Sequence, residues 1–98
     1  MKKIDIVIEH AFLDKLVHKL EDLNIGGYTV LDVVGGRGLK SGKVKDYGVT
    51  EINRMNYIFI LCSVVDEENI ISNISPFIEK AGGIMACSDV TSFYPKRT

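Results

Sequence analysis

The residues whose types and spacing suit chemistry lie in one stretch. Gly35-Gly36-Arg37-Gly38 follows directly on Val30-Leu31-Asp32-Val33-Val34, and Lys40 comes two residues later. Glycines clustered in this way permit positive φ and let another group approach the main chain closely. Arg37 and Lys40 place fixed positive charge at the same spot. The β-branched Val30, Val33 and Val34 favour extended backbone, so the stretch reads as a strand running into a basic, glycine-rich loop. That combination suits an anion, a phosphate above all. A mobile connection carrying solubilising charges has the same signature.

The loop matches neither standard phosphate pattern. A P-loop needs Gly, four residues, then Gly-Lys, and counting back from Gly42-Lys43 lands on Arg37. The dinucleotide fingerprint needs glycine at the third place after Gly38, where Ser41 stands. Other chemistries are weaker still. His10 and His18 have no third ligand at metal spacing, and His18 falls on a solvated helix face near Asp14 or Asp22. No serine or cysteine stands with a histidine and an acid at suggestive spacing. Phosphate-ester or acyl-phosphate hydrolysis would want an arginine-bearing loop after the first strand, where the chain has Glu9-His10-Ala11-Phe12. The expectation is a protein without catalysis.

At 98 residues, 46% hydrophobic and 26% charged, the chain has the size and make-up of a single globular domain spanning residues 1–98. A net charge of −1 and a pI near 6.1 argue against nucleic acid as a partner. Two cysteines do not make a disulfide scaffold. No apolar run is long enough to insert in a bilayer. Met1-Lys2-Lys3-Ile4-Asp5 reaches an acid without the apolar core of a signal peptide, so the cytoplasm is the expected compartment.

These residues must be positioned by six elements. Ile4, Ile6 and Ile8 alternate over residues 3–9 as a strand with one buried face. Leu13, Leu16, Val17, Leu20 and Leu23 recur at helical spacing within 11–24, and Asn24 with Gly26-Gly27 ends that helix. Residues 27–35 form the second strand. Residues 36–54 show no period and read as a long flexible loop, the kind of segment that is usually functional. Residues 55–65 form a third strand, apolar on both faces. Asp66 then stands where an N-cap belongs, before a helix whose stripe is Ile70, Ile71, Ile74, Phe77 and Ile78. Pro76 should kink it, or restart it with Ser75 as cap. Residues 84–91 form the last strand.

The order βαββαβ is the ferredoxin-like arrangement of the α+β class, a four-stranded antiparallel sheet with both helices on one face. The first and third strands are then central neighbours, and the fourth lies beyond the first. Cys62 and Cys87 fall on strands that do not touch and read as small core residues. Some such sheets bind RNA through aromatics on the central strands, but the first strand here has none. Because helices cover one face only, Tyr57, Phe59 and Leu61, or the opposite row, must face water in a monomer. An apolar patch of that kind marks an interface, and the chain is expected to oligomerise through its open sheet face.

Across nearly its whole length the chain resembles the PII signal-transduction superfamily. The resemblance rests on Met1-Lys2-Lys3-Ile4-Asp5, on Leu13-Asp14-Lys15-Leu16 and, most specifically, on Ile25-Gly26-Gly27-Tyr28-Thr29-Val30 followed by Gly35-Gly36-Arg37-Gly38. Gly-Tyr-Thr-Val with Gly-Gly-Arg-Gly is closer to the PII-like branch, associated with bicarbonate transport and carboxysomes, than to nitrogen-regulatory members. The resemblance implies a homotrimer that binds adenine nucleotides between subunits and signals to a membrane transporter or enzyme through its long loop. Thr29 matches the position whose hydroxyl contacts adenine. Gly35, Gly36, Arg37 and Gly38 match the loop base around ribose and phosphates, and Lys40 a basic position near the phosphate. Gly83 and Ile84 match the strand start that closes the site. Lys43, Lys45, Tyr47 and Arg54 belong to the partner-binding loop.

Two departures matter. Nitrogen-regulatory members carry a second glycine-rich loop with a lysine that grips the outer phosphates of ATP, whereas Ala81-Gly82-Gly83-Ile84-Met85-Ala86-Cys87 has no cation. AMP, ADP or cyclic AMP is therefore expected over ATP, with bicarbonate as a further effector suggested by the branch. Asp46-Tyr47-Gly48 does not match the uridylylated tyrosine of nitrogen-regulatory members. Two other readings fit the same residues: a trimeric metal-binding module of the divalent-cation-tolerance type, and a ligand-free adaptor.

Overall fold

The computed structural model describes residues 1–40, 43–47 and 54–95. In chain order the elements are β1 (Lys2–Glu9), one 3-10 turn (His10–Phe12), α1 (Leu13–Asp22), β2 (Thr29–Val33), β3 (Gly36–Lys40), β4 (Lys43–Tyr47), β5 (Met55–Cys62), α2 (Val64–Ala81) and β6 (Ile84–Asp89). Four strands form one antiparallel sheet in the order β2-β5-β1-β6. This is the ferredoxin-like order read from the sequence, with β1 and β5 central.

The core lies between the sheet and the two helices. Ile4, Ile6 and Ile8 of β1 and Ile58 and Ile60 of β5 meet Leu16 and Leu20 of α1 and Ile70, Ile74 and Ile78 of α2. All ten are buried. Helix α1 ends where Asn24 adopts φ 60°, and the Ile25 N–H reaches back to the Leu20 carbonyl at 2.9 Å. Asparagine tolerates that left-handed conformation better than most side chains.

Helix α2 differs from expectation at its start, and it does not restart at Ser75. Ser63, not Asp66, is the N-cap: its Oγ accepts the Asp66 N–H at 3.1 Å, and Asp66 and Glu67 occupy the first turn, where carboxylates suit the dipole. The helix also runs unbroken through Pro76. The missing N–H and the clash cost about 3 kcal/mol. Burying Ile70, Ile74 and Ile78 on both sides of the proline outweighs that, at roughly 1.5–3 kcal/mol each. Pro76 itself is exposed.

Strand boundaries are tighter than the sequence suggested. The second strand covers Thr29–Val33, and β6 ends at Asp89. The larger correction concerns 36–54, read from the sequence as lacking regular structure. Gly36–Lys40 and Lys43–Tyr47 pair as an antiparallel ribbon, with Gly36 opposite Tyr47 and Lys40 opposite Lys43. Cys87 is a second correction. It is exposed, on an edge strand, while Cys62 is buried; both are free thiols.

The face of the sheet away from the helices is open. Leu31, Tyr57, Val7 and Ile84 stand opposite one another in register, one from each strand. They make an apolar row that crosses the whole sheet. Leu31 is 45% exposed and Ile84 60%, and Phe59 and Leu61 extend the patch, half-buried. The row expected to face water is therefore Tyr57, Phe59 and Leu61, with Ile58, Ile60 and Cys62 inside.

Gly83 joins α2 to β6 at a crowded point. A Cβ there would lie 2.5 Å from Ile8 Cγ2 and 2.7 Å from the Val7 carbonyl oxygen. Gly83→Ala should lower stability by about 1–3 kcal/mol in urea unfolding. Gly26→Ala, with nothing within 4 Å, should stay within about 0.5 kcal/mol of the parent. Equal midpoints for the two variants would contradict the packing described.

Candidate functional site

Thr29 opens edge strand β2 and is exposed. It pairs with Phe59, and the two line a hollow of about 250 Å³ with Gly27, Tyr28 and Leu61. The hollow thus has an aromatic and aliphatic wall and the two hydroxyl-bearing side chains of Tyr28 and Thr29. Beside it on the open face, Lys3, Asp5 and Tyr57 form a polar cluster. The Tyr57 hydroxyl donates to Asp5, and Lys3 Nζ lies 3.4 Å from the same carboxylate and 5.4 Å over the Phe59 ring. The bond to Asp5, with burial adding to it, holds the Tyr57 phenol above its ordinary pKa.

The other sequence-derived residues divide into three groups. Gly35 lies between β2 and β3 and Gly36 opens β3; both are exposed. Arg37, Gly38 and Lys40 lie on β3 opposite Asp46, Lys45 and Lys43 of β4, which also carries Tyr47; their side chains lie outside the described residues. Gly83 and Ile84 stand at the start of β6. Since β2 and β6 are the two edges of the sheet, Thr29 and Ile84 of one chain lie three strand spacings apart across it, about 14 Å, and two residues out of register besides. They do not form one pocket within a single copy.

Arg54, grouped from the sequence with the partner-facing loop, has its guanidinium engaged elsewhere. Its Nη2 donates to Asp32 Oδ1 at 3.0 Å, and its Nη1 lies 3.3 Å from His10 Nε2. His10 Nδ1 in turn lies 2.7 Å from Asn56 Oδ1. Asn56, 1% exposed, directs its Nδ2 to Asp32 Oδ1 at 3.0 Å and to the Leu31 carbonyl at 3.4 Å. With both amide hydrogens given to those acceptors, Asn56 Oδ1 must accept from His10 Nδ1–H. His10 Nε2 then carries the lone pair that faces Arg54.

This network ties together the segments that leave and re-enter the sheet around the ribbon, Leu31-Asp32 on one side and Arg54 on the other. A backbone bond from His10 N–H to the Arg54 carbonyl at 2.9 Å reinforces it. The Arg54 guanidinium, by hydrogen bond first and charge second, holds the Asp32 carboxyl below its ordinary pKa. Sequence reasoning missed these four residues as a unit. The available signal was Asn56, a polar residue inside a strand otherwise apolar on both faces. His18 is on a solvated face as expected, its Nδ1 donating to the Asp14 carbonyl at 2.7 Å.

Among the described residues, no three His, Cys, Asp or Glu side chains gather as a metal site. No helix among them is long and apolar enough to cross a membrane.

With this geometry in view, known proteins offer close parallels. The family model for nitrogen regulatory protein P-II matches residues 1–97. The chain is similar to CPII, a nitrogen regulatory PII-like protein from Thiomonas intermedia K12, in a structure bound to ADP, AMP and bicarbonate. The TM-score is 0.75 at 22% identity, covering 91% of this chain and 84% of that one. The apo form of CPII superposes with a TM-score of 0.69 at 19% identity, covering 91% and 87%. A protein assigned to PII-like signalling from Thermus thermophilus gives 0.69 at 21% identity, covering 91% and 85%. No curated protein matches the chain.

Two outcomes test the network. Asn56→Ala should destabilise the fold by about 1–3 kcal/mol in urea unfolding, because it strips partners from half-buried His10 and from the Leu31 carbonyl; an unchanged midpoint would contradict the assignment. Asp32 supplies a pH test. Its folded pKa is depressed, so its contribution is complete above the ordinary carboxylate range and is lost as pH falls below that range. The melting-temperature gap between the parent and Asp32→Asn should therefore be present near neutrality and close on acidification. A gap that widens toward acid would reverse the assigned sign.

Proposed function

The chain belongs to the nitrogen regulatory protein P-II family, and on that basis we propose that it is a non-catalytic sensor of adenine nucleotides. It works as a homotrimer with its open sheet faces turned together. Nucleotide binds in the clefts between subunits, and the segment around the β3–β4 ribbon engages a transporter or enzyme. The observation that carries this reading is the division of the site residues between opposite sheet edges. Thr29 stands on the β2 edge and the Gly35–Gly38 run leads from that strand into the ribbon, whereas Gly83 and Ile84 stand at the start of β6, the opposite edge. A complete pocket needs the β6 end of another copy, and the open apolar row supplies the reason for that copy to be there.

In such a cleft the Thr29 hydroxyl reads an edge of adenine, and the hollow it shares with Phe59 and Leu61 accepts the ring. The backbone of Gly35, Gly36 and Gly38 approaches the ribose and phosphates, and Arg37 and Lys40 neutralise them. The absence of a cation in 81–87 favours AMP, ADP or cyclic AMP over ATP. The ligands of the CPII structure support this choice and make bicarbonate a candidate second effector. A ligand held at the β2 edge lies at the root of the ribbon, so occupancy alters the segment that meets the partner. The protein acts in the cytoplasm, reaching the membrane only through a transporter partner.

Isothermal titration with AMP, ADP, ATP and cyclic AMP should show binding, with ATP no tighter than the others. Silence from all four at millimolar concentration would overturn the sensor reading. Arg37→Ala should weaken nucleotide binding by about tenfold or more, the scale of a lost charge-assisted hydrogen bond, and leave the oligomer intact. Loss of the oligomer would instead make Arg37 a structural residue.

A further inference from the structure

A second hollow lies on the helix layer, on the opposite side of the sheet from the open face. It measures about 460 Å³, and its lining is Phe12, Lys15, Lys19, Phe77, Lys80 and Ala81. Helical spacing explains the convergence. Phe12, Lys15 and Lys19 recur at three and four residues along the turn and α1, and Phe77, Lys80 and Ala81 do the same at the end of α2. Phe12 and Phe77 meet edge to face, with centroids 6.2 Å apart. With buried Ala81 they form an apolar floor.

Three lysines from two helices line the hollow with that floor, and no acid does. Lys19 Nζ stands 5.4 Å over the Phe77 ring. Among the described residues none of the three lysines has a carboxylate partner, whereas Lys2, Lys3 and Arg54 each do. Lysine stems commonly lie along apolar surface, and Lys19 over Phe77 fits that pattern. Stems alone do not explain why three unpaired cations flank a concavity that stays open. Its volume falls in the range of about 300–1,000 Å³ typical of small-ligand sites.

We propose that this hollow binds a small amphipathic anion, an aromatic or short acyl body carrying a phosphate or carboxylate. The apolar body seats on Phe12, Phe77 and Ala81, and the anionic head lies among Lys15, Lys19 and Lys80. A nucleotide fits poorly, because the lining offers no side-chain acceptor for ribose hydroxyls or for the edge of a base. The site is separate from the Thr29 edge, and it stays accessible when the open sheet face is covered.

The test is an amide NMR titration of the whole chain, held saturated with ADP. The probes are 1-naphthyl phosphate and octanoate, with inorganic phosphate as the charge-only control. The expected result is saturable shifts at Phe12, Lys15, Phe77 and Ala81 with at least one amphipathic probe. Naphthyl phosphate alone would identify an aromatic ligand, and octanoate alone an acyl one. The double variant Lys19→Gln with Lys80→Gln, at exposed positions, should keep its spectrum dispersed and bind about tenfold more weakly. No saturable shift at these residues would overturn the proposal. So would equal shifts from inorganic phosphate, or undiminished binding by the double variant. The ADP titration is scored separately, so failure here leaves the sensor reading standing.

Discussion

Everything in this molecule depends on the pairing of β1 with β5. The two central strands match residue for residue from Lys2 opposite Cys62 to Glu9 opposite Met55. On one side of that pair, Ile4, Ile6, Ile8, Ile58 and Ile60 are sealed by the helices. On the other, Val7, Tyr57, Phe59 and Leu61 are not. A strand apolar on both faces satisfies only half of its hydrophobic demand within one copy. Both the proposed assembly and the proposed clefts follow from that imbalance.

The same pairing sets where the working parts emerge. Placing β1 and β5 in the centre sends β2 and β6 to opposite edges, which divides the candidate residues of the proposed cleft between them. Strand β5 also brings Asn56 beneath the end of β2. There it is the buried hub through which His10, Asp32 and Arg54 clamp the base of the ribbon. A buried amide with all its hydrogen bonds made is rigid, because each alternative leaves a polar group without a partner in a poorly solvated place. The ribbon therefore starts from a fixed root.

How much was legible in the sequence follows from the range of each interaction. Alternation in β1, the helical stripe of α1 and the apolar run of β5 are local patterns, and they yielded the strand order and the open face. The glycine run after β2 is singled out by its similarity to a family, since its spacing fits no general phosphate motif. The β3–β4 ribbon was not legible, because Gly36 and Gly38 suppress the strand signal and neither half shows apolar alternation in its sequence. Pro76 does not end the helix, because a local rule loses to tertiary burial of Ile70, Ile74 and Ile78. Cys87 looked like core because its strand is short and apolar, yet an edge strand receives little cover from the helices. The clamp joins residues 10, 32, 54 and 56, and the lysine-rimmed hollow joins two helices distant in sequence. The clamp leaves no periodic trace, and the helical spacing of the hollow's residues within each helix does not tell that the two helices meet there.

The central claim is that a half-satisfied sheet face makes the site by making the assembly. Native mass spectrometry with ADP tests it most directly. The account predicts a dominant species of three chains that takes up ADP in steps to one per cleft. A monomer at all concentrations, or a three-chain assembly that takes up no ADP, would contradict it.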